Sequence, residues 1–442
     1  MGKRTGERTA RRLSAGQKSF ALATEWWSAI QPMSTHVIFV APFFLETTLR
    51  FVAGAASLPG VQLSLVSQDP AERLPAGLRS ALAGHWRVGN ALDPDQLVHA
   101  ARMLARKLGP PRRMLGALEQ LQVPLAQARE TLGVEGLDAA SALNFRDKSR
   151  MKDVLRRTGL PCARHLLAAS VEAASAFVDT TGFPVVAKPP AGAGGKGTFR
   201  LESGSDLAAL LQRFPPSHAN PVLLEEFVLG TEHSFDSVVI AGEPVWHSIS
   251  RYMPAPLQVL ENPWIQWCVF LPRSISGPEY APIRDAAFRA VRALGLQTGL
   301  SHMEWFQLGD NRIAISEVGA RPPGAQFTSL MSWAHDMDFY EAWPRLMVFD
   351  EFEPPPRNHA VGAAYFRGQR SAGGVRVRAI HGLGEAQRRF GHLVVESRLP
   401  STGQMASDSY EGEGYVILRH ADSAVVEDAL RQIVQIVHVE LG

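Results

Sequence analysis

The sequence predicts an α/β protein of more than one domain, and three observations carry that prediction. The first is a β–α–β start. THVIFVAPFF at residues 35–44 reads as a buried strand, a helical stretch runs to about Leu58, and VQLSLVS at 61–67 reads as a second strand. The second is a strand–loop–strand unit, PVVAKPPAGAGGKGTFR at 184–200, whose loop holds Gly192, Gly194, Gly195 and Gly197. The third is a hairpin, SHMEWFQLGDNRIAISEVGAR, whose alternating strands flank a Gly309-Asp310-Asn311 turn. At 442 residues the chain is long enough for two to four domains and a sizeable core.

Composition narrows the function classes. Hydrophobic residues make up 45% and charged residues 20%, an ordinary globular balance. The net charge of +2, from 45 basic and 43 acidic residues, makes no case for a nucleic-acid partner. The basic excess is local: Lys3, Arg4, Arg8, Arg11, Arg12 and Lys18 stand against Glu7, so residues 1–34 are expected to be a flexible, solubilising tail. No run of 18 uncharged apolar residues occurs, so no membrane span is expected. SFALATEWWSAI is short and is broken by Glu25, which argues against a cleaved signal peptide, and Gly6 stands where a myristoylation pattern wants Ser or Thr. Two cysteines, Cys162 and Cys268, lack metal-ligand spacing and suit buried neutral thiols in a reducing cytoplasm.

The chain divides on punctuation. Residues 35–140 are read as an N-terminal α/β domain. Its first strand is not followed by a phosphate-binding glycine turn, so a dehydrogenase reading is weak. Residues 141–350 form the central domain. It opens on NFRDKSRMKDVLRRTGLP, where Met151, Val154 and Leu155 have helical spacing and Gly159-Leu160-Pro161 stops the helix. A small lid is expected at about 156–227, followed by a larger half. Within VLLEEFVLGTEHSFDSVVIAGEPVW a strand ends at Glu225-Glu226-Phe227-Val228, Glu232 follows Gly230, and Ala241-Gly242 turns a hairpin. The helix RDAAFRAVRALG ends at Gly295 and feeds the third motif. Pro354-Pro355-Pro356 marks a boundary, beyond which 351–442 reads as a C-terminal α+β piece closed by a helix from Ser423 to Val437. There is no internal repeat.

The chemistry is concentrated in the third motif. If Leu308 faces Arg312, then Glu304 faces Ser316 or Glu317 across the ladder, with Cβ atoms only ~5 Å apart. Two like charges there repel unless a cation intervenes, and Mg²⁺ typically takes one or two carboxylates plus phosphate oxygens. Arg321 and Gly324 follow at once. The glycine loop can wrap an anion with backbone N–H groups, although it has neither the P-loop pattern nor its helix. Read singly, the glycine loop is equally a flexible surface hairpin and Lys148 an ordinary surface lysine.

The order of the motifs is more specific than any one of them. RDK, then PVVAKPPAGAGGKG, then EEFVLGTE, then HMEW…ISEVGARPPG resembles the ATP-grasp superfamily, and within it the carboxylate–amine ligases that include amino-acid (dipeptide) ligases. The resemblance covers about residues 36–345 well and the last hundred loosely. It implies an ATP-grasp fold of two α+β subdomains with a flexible lid, preceded by a Rossmann-like βα domain. By position, Lys148 and Lys188 match the lysines on ATP phosphates, and Gly194, Gly195 and Gly197 the closing loop. Glu225, Glu226, Phe227 and Val228 match the segment that reads adenine, partly through backbone, and Glu232 the acid that binds ribose. Glu304 and Glu317 match the Mg²⁺ ligands, and Arg321, with Lys188, the catalytic cations beside the transferred phosphoryl group. Many members carry Asn two residues after the second metal glutamate. Here that position is Gly319, as in ligases that read E-x-x-A-R.

The implied cofactors are ATP and Mg²⁺, with Mn²⁺ as the alternative cation. The implied partners are a small-molecule carboxylate and an amine, with no nucleic acid and no membrane, and a homodimer is left open. In HSISRYMPAPLQVLENPWIQWCVF, Arg251 is read as a grip on a substrate carboxylate, and Trp264 and Trp267 as shaping a side-chain pocket. The bland alternative makes Arg251 a surface residue and the tryptophans core. His302 is read as a packed histidine without a chemical role. Two other functions compete: a biotin-carboxylase-like bicarbonate enzyme, although no AMKM attachment motif is present, and a nucleotide-binding regulator that has lost catalysis.

Overall fold

The computed structural model describes residues 34–192, 197–262, 265–370, 375–407, 409 and 411–442. All of the expected basic tail but its last residue lies outside the described residues, as do Gly194, Gly195 and Trp264.

Four sheets carry the architecture. The first holds β1 (Thr35–Val40), β2 (Val61–Ser67), β3 (Gly84–Arg87) and β4 (Arg113–Leu115), all parallel, in the order β3-β2-β1-β4. Helices cover both faces, which is why β1 reads as an unbroken apolar run rather than an alternating one. The second is antiparallel: β5 (His165–Ala168), β6 (Val185–Lys188), β7 (Phe199–Leu201) and β8 (Val222–Glu226), ordered β5-β8-β6-β7. The helices Val171–Thr181 and Gly204–Arg213 bury Val178, Leu207 and Leu210 against it.

The third sheet is the frame of the molecule. It is built from β9 (Thr231–Ile240), β10 (Glu243–Met253), β11 (Trp267–Leu271), β12 (Gly299–Gln307), β13 (Ile313–Gly319) and β14 (Ala360–Phe366). After β15 (Gly368–Arg370) and β16 (Val377–His381), the chain adds β17 (Val394–Arg398) and β18 (Gly414–His420) to it and ends in β19 (His438–Leu441). The eight antiparallel strands run β13-β12-β9-β10-β11-β14-β18-β17, so C-terminal strands extend the acid-bearing sheet. Strands β15, β19 and β16 make the fourth, small sheet.

One face of the β13-β12-β9 region is apolar. Phe235, Met303, Trp305 and Ile315 pack there under the helices Lys148–Arg157 and Ala281–Leu294. Gly295 ends the second helix in the left-handed region, φ 97°, where glycine carries no Cβ penalty. The opposite face of the same strands is left for polar groups. The helix Glu46–Ser57 crosses from the parallel sheet onto the helix Phe339–Phe349, with Phe51 4.8 Å from Tyr340 and 5.1 Å from Trp343 between ring centres. Cys268 is buried, and burial pushes its thiol up to about 12. Cys162 is only half-buried, which departs from the expectation of two buried thiols. Among the described residues, no helix is long and apolar enough to cross a membrane.

Candidate active site

The expected hairpin forms, and its register answers the question left open above. Leu308 N–H donates to the Arg312 carbonyl at 2.8 Å across a tight turn at Gly309–Asn311. Counting back, Phe306 pairs with Ala314 and Trp305 with Ile315, and then a bulge takes up Ser316, so Glu304 sits directly opposite Glu317. Without the bulge the two carboxylates would fall out of register. The Ser316 carbonyl displaced by the bulge accepts from Lys152 Nζ at 2.8 Å.

Two neighbouring carboxylates set each other's protonation. Burial and then the Glu317 charge raise Glu304 above the usual carboxylate range. Glu317 stays below it despite burial, because Lys148 and Lys188 face it. Lys148 Nζ lies 2.8 Å from Glu317 Oε1 and 3.1 Å from the Gly192 carbonyl. It begins the helix Lys148–Arg157, whose N-cap Asp147 accepts from Arg150 N–H. Lys188 ends β6 and lies 3.0 Å from Glu225 Oε1. Burial alone would lower Lys188, but Glu225 and Glu317 hold it above its ordinary value.

These groups line one cavity between the second sheet and the frame. Ala163, Val186, Phe306 and Ile315 give it an apolar slot, and Glu226, Phe227 and Val228 pass along its rim. Glu226 turns its carboxylate to Arg164 Nε at 2.6 Å, so its side chain is engaged there. The Glu225 carboxylate is also taken, by Lys188 and by Lys152 at 3.4 Å. Side-chain readout by these two acids is therefore replaced by support of the lysines and of the backbone edge. Glu232 is the second residue of β9, is nearly buried, and lines the cavity. Burial and then the Glu304 charge push its carboxyl well above the usual range. Gly197 takes φ 77° against Pro189, at the described end of the glycine loop.

Arg321 leaves β13 into the same cavity. Its Nε donates to Glu119, and its Nη1 donates to the Pro322 carbonyl at 2.9 Å. Glu119 lies in a short turn that follows the parallel sheet, and it also faces Arg146 at 3.9 Å. His302 shares a face of β12 with Glu304 and bonds Asp236 on β9, Nδ1 to Oδ1 at 2.7 Å. Burial would lower this imidazole, but Asp236 raises it above its ordinary value. His302 is packed between Asp236 and Phe327, and it also lines the cavity.

Arg251 is also corrected. On a strand, successive side chains point to opposite faces. Tyr252 lines the cavity, so Arg251 is turned away from it, over the Phe270 ring and into an ion pair with Glu427 of the helix Ser423–Ile436. It holds the C-terminal helix and does not line the site. Trp267 does line the cavity, stacked 4.5 Å from Tyr365.

Two lining residues, Lys152 and Glu119, and one residue behind the lining, Asp236, were not found by sequence reasoning. Lys152 resembles any charged residue of an amphipathic helix, yet it is fully buried. Glu119 belongs to a different sheet region. Asp236 alternates with apolar neighbours in a strand, and only its pairing with His302 marks it.

The donor set fits a divalent cation. Among the described residues no cluster of three metal-binding side chains forms. Two facing carboxylates beside three cations suit a hard ion that draws its other ligands from phosphate oxygens.

Residues 153–331 match the ATP-grasp domain family, and this chain carries an ATP-grasp domain. Lys148 lies just ahead of the matched segment but in the same cavity. The L-arginine-specific L-amino acid ligase of Bacillus subtilis is 24% identical over 279 residues, 62% of this chain and 67% of that protein. The carbamoyl phosphate synthase large chain of Thermus thermophilus is 28% identical over 237 residues, 48% of this chain and 22% of that protein. The chain thus spans about a fifth of that relative. The fold is similar to the crystal structure of L-amino acid ligase from Bacillus licheniformis, with TM-score 0.72, 17% identity, and coverage of 93% of this chain and 99% of that one. Domain match and fold place the chain among ATP-grasp proteins, and those it is similar to include L-amino acid ligases and a carbamoyl phosphate synthase large chain.

Proposed function

We propose that this ligase joins an amino acid to an amine or carboxylate partner in an amide bond, using ATP with Mg²⁺. The observation that carries the reading is the direct pairing of Glu304 with Glu317, ringed by Lys148, Lys188 and Arg321. A relative covered over 67% of its length and a structure with TM-score 0.72 are amino acid ligases, which favours an amino acid, although an N5-carboxyaminoimidazole ribonucleotide synthetase and a biotin carboxylase domain share the fold over comparable length with TM-score 0.64. A divalent cation held by the two glutamates would offset the charge of bridging phosphates.

The chain's own residues then have these tasks. The apolar slot of Val186, Phe306 and Ile315 takes the adenine ring, its edge meeting the backbone at Glu226–Val228, and Glu232 takes ribose hydroxyls. Lys148 and Lys188 bind phosphate oxygens, and Glu225, itself paired with Lys152, holds Lys188 in place. Arg321, steadied by Glu119, faces the transferred phosphoryl group and the acid's carboxylate. A carboxylate oxygen attacks the γ-phosphorus and ADP leaves. The amine nitrogen attacks the acyl carbon and phosphate leaves. The glycine loop, residues 192–197, is assigned to excluding water from the acyl phosphate. Its two free thiols suit a reducing cytoplasm.

The test is Glu317→Ala with pooled amino acids, Mg²⁺ and ATP. Wild type should release ADP and phosphate, and the variant should lose about 10²–10³-fold or more in rate while remaining folded. Normal turnover in the variant at saturating Mg²⁺ would remove the metal assignment. AMP as product would remove the acyl-phosphate route.

A further inference from the structure

Past the facing glutamates the cavity reaches β10 and β11, and its lining changes character. Tyr252, Pro256, Leu257, Trp267, Ala325 and Phe327 form this end. Tyr252 lies 6.1 Å from Trp267 and 5.9 Å from Phe327 between ring centres. Trp267 is backed by Tyr365, whose hydroxyl donates to the Ala325 carbonyl. These rings fix one another, so the wall is rigid. It begins next to the acids: Phe327 meets His302 edge-on at 5.2 Å, and His302 shares its strand face with Glu304.

None of these six side chains carries a charge, and the cations and carboxylates of the cavity come from β9, β12, β13 and the segment after it, the second sheet, the helix that starts at Lys148 and the Glu119 turn. A charged substrate group laid on this wall would lose water without gaining a partner. A flat or branched apolar group would lose only unfavourable hydration and gain ring contacts. Leu257 and Pro256 are only half-buried, so they keep surface to offer a ligand, whereas the rings behind them are nearly closed.

We propose that the carboxylic acid activated at this site carries a large apolar side chain, aromatic or branched aliphatic, which packs on the Tyr252–Leu257–Trp267–Phe327 wall while its carboxylate faces Glu304, Glu317 and Arg321. This rests on the ligase reading above and adds the class of acid.

Hydroxylamine trapping separates the two ideas. In the activated acid the carboxylate oxygen has displaced ADP from phosphorus. The hydroxylamine nitrogen then attacks the acyl carbon, loses a proton and displaces phosphate, leaving a hydroxamate that names the acid without any amine substrate. The full chain with Mg²⁺, ATP and hydroxylamine is given phenylalanine, tryptophan, leucine or methionine, and in parallel glycine, alanine, aspartate or lysine. The apolar acids should be trapped with kcat/KM roughly tenfold or more above alanine. Leu257→Asp should lower that value roughly tenfold for the apolar acids, with binding of a non-hydrolysable ATP analogue unchanged by calorimetry. Leu257→Ala, which adds no charge, should lower it less and keep the order of preference. Preferential trapping of small or charged acids, or equal trapping of all eight, would overturn the proposal while the ligase reading stands. Absence of any hydroxamate and of ADP release would overturn both.

Discussion

Single side chains divide the cavity into tasks that can be removed one at a time. Glu232 is the clearest. It is nearly buried, it lines the cavity, and burial with the nearby Glu304 charge raises its carboxyl well above the usual range. Assigned to ribose hydroxyls, it should matter for holding ATP more than for turnover. We expect Glu232→Ala to raise KM for ATP about 10–100-fold, from the ~1.5–3 kcal/mol of a charged hydrogen bond, with a smaller fall in kcat. Initial rates over an ATP series check this, and an unchanged KM would remove Glu232 from the nucleotide. At this scale the sequence was readable where a side chain's type was odd for its place: Glu304 and Glu317 are like charges on one hairpin face. It was silent on Lys152, because a lysine in a helix has no local mark of being buried against the Ser316 carbonyl 164 positions away.

Elements dock through close contacts that pattern reading does not reveal. The helix Glu46–Ser57 reads as an ordinary apolar-faced helix, yet Gly54 lies against the backbone of the helix Phe339–Phe349. A Cβ at Gly54 would stand 2.1 Å from the Tyr340 carbonyl oxygen. Backbone cannot swing aside as a long side chain can. Helix propensity alone predicts that Gly54→Ala stabilises by roughly 0.5–1 kcal/mol. Overpacking predicts a loss of roughly 1–3 kcal/mol, and we expect the loss. Denaturant melts decide the sign, and a raised midpoint would mean the two helices do not approach this closely. Arg251 shows the opposite case, in which strand parity was decisive. It is the immediate neighbour of Tyr252, and that single step moves it from the cavity to the C-terminal helix.

Across the whole molecule, buried histidines set the response to acid. His233, stacked on Trp305, and His335, bonded to the Pro355 carbonyl, are each lowered by burial from the usual 6.5 to about 4. His247 is lowered to about 4 by the same cause. In the unfolded chain these rings take a proton near pH 6.5, whereas in the fold they stay neutral to about pH 4. The unfolded state therefore binds more protons in this window, and stability falls as pH falls through it. His302, raised by Asp236 against burial, acts in the opposite sense and lessens the net effect. Unfolding free energy should drop by several kcal/mol between pH 7 and pH 4.5, with His233 and His335 each contributing up to ~3 kcal/mol. His335→Gln should flatten the slope. Equal stability at both pH values would show that these rings are not buried neutral.

Local signals in the sequence were enough to settle the β–α–β start, the glycine unit, the turn at Gly309–Asn311 and the order of motifs, because turns, helix stops and alternation act within a few residues. They also brought the facing acids to within one position. Tertiary structure decided what depends on contacts between distant segments. It placed the bulge at Ser316 that sets Glu304 opposite Glu317, and it joined β14, β18 and β17 to the sheet that carries them. It brought Glu119 to Arg321 across 202 positions. Burial, and with it the charge each group holds, comes from the packing of all these segments together, and no short stretch of sequence contains it.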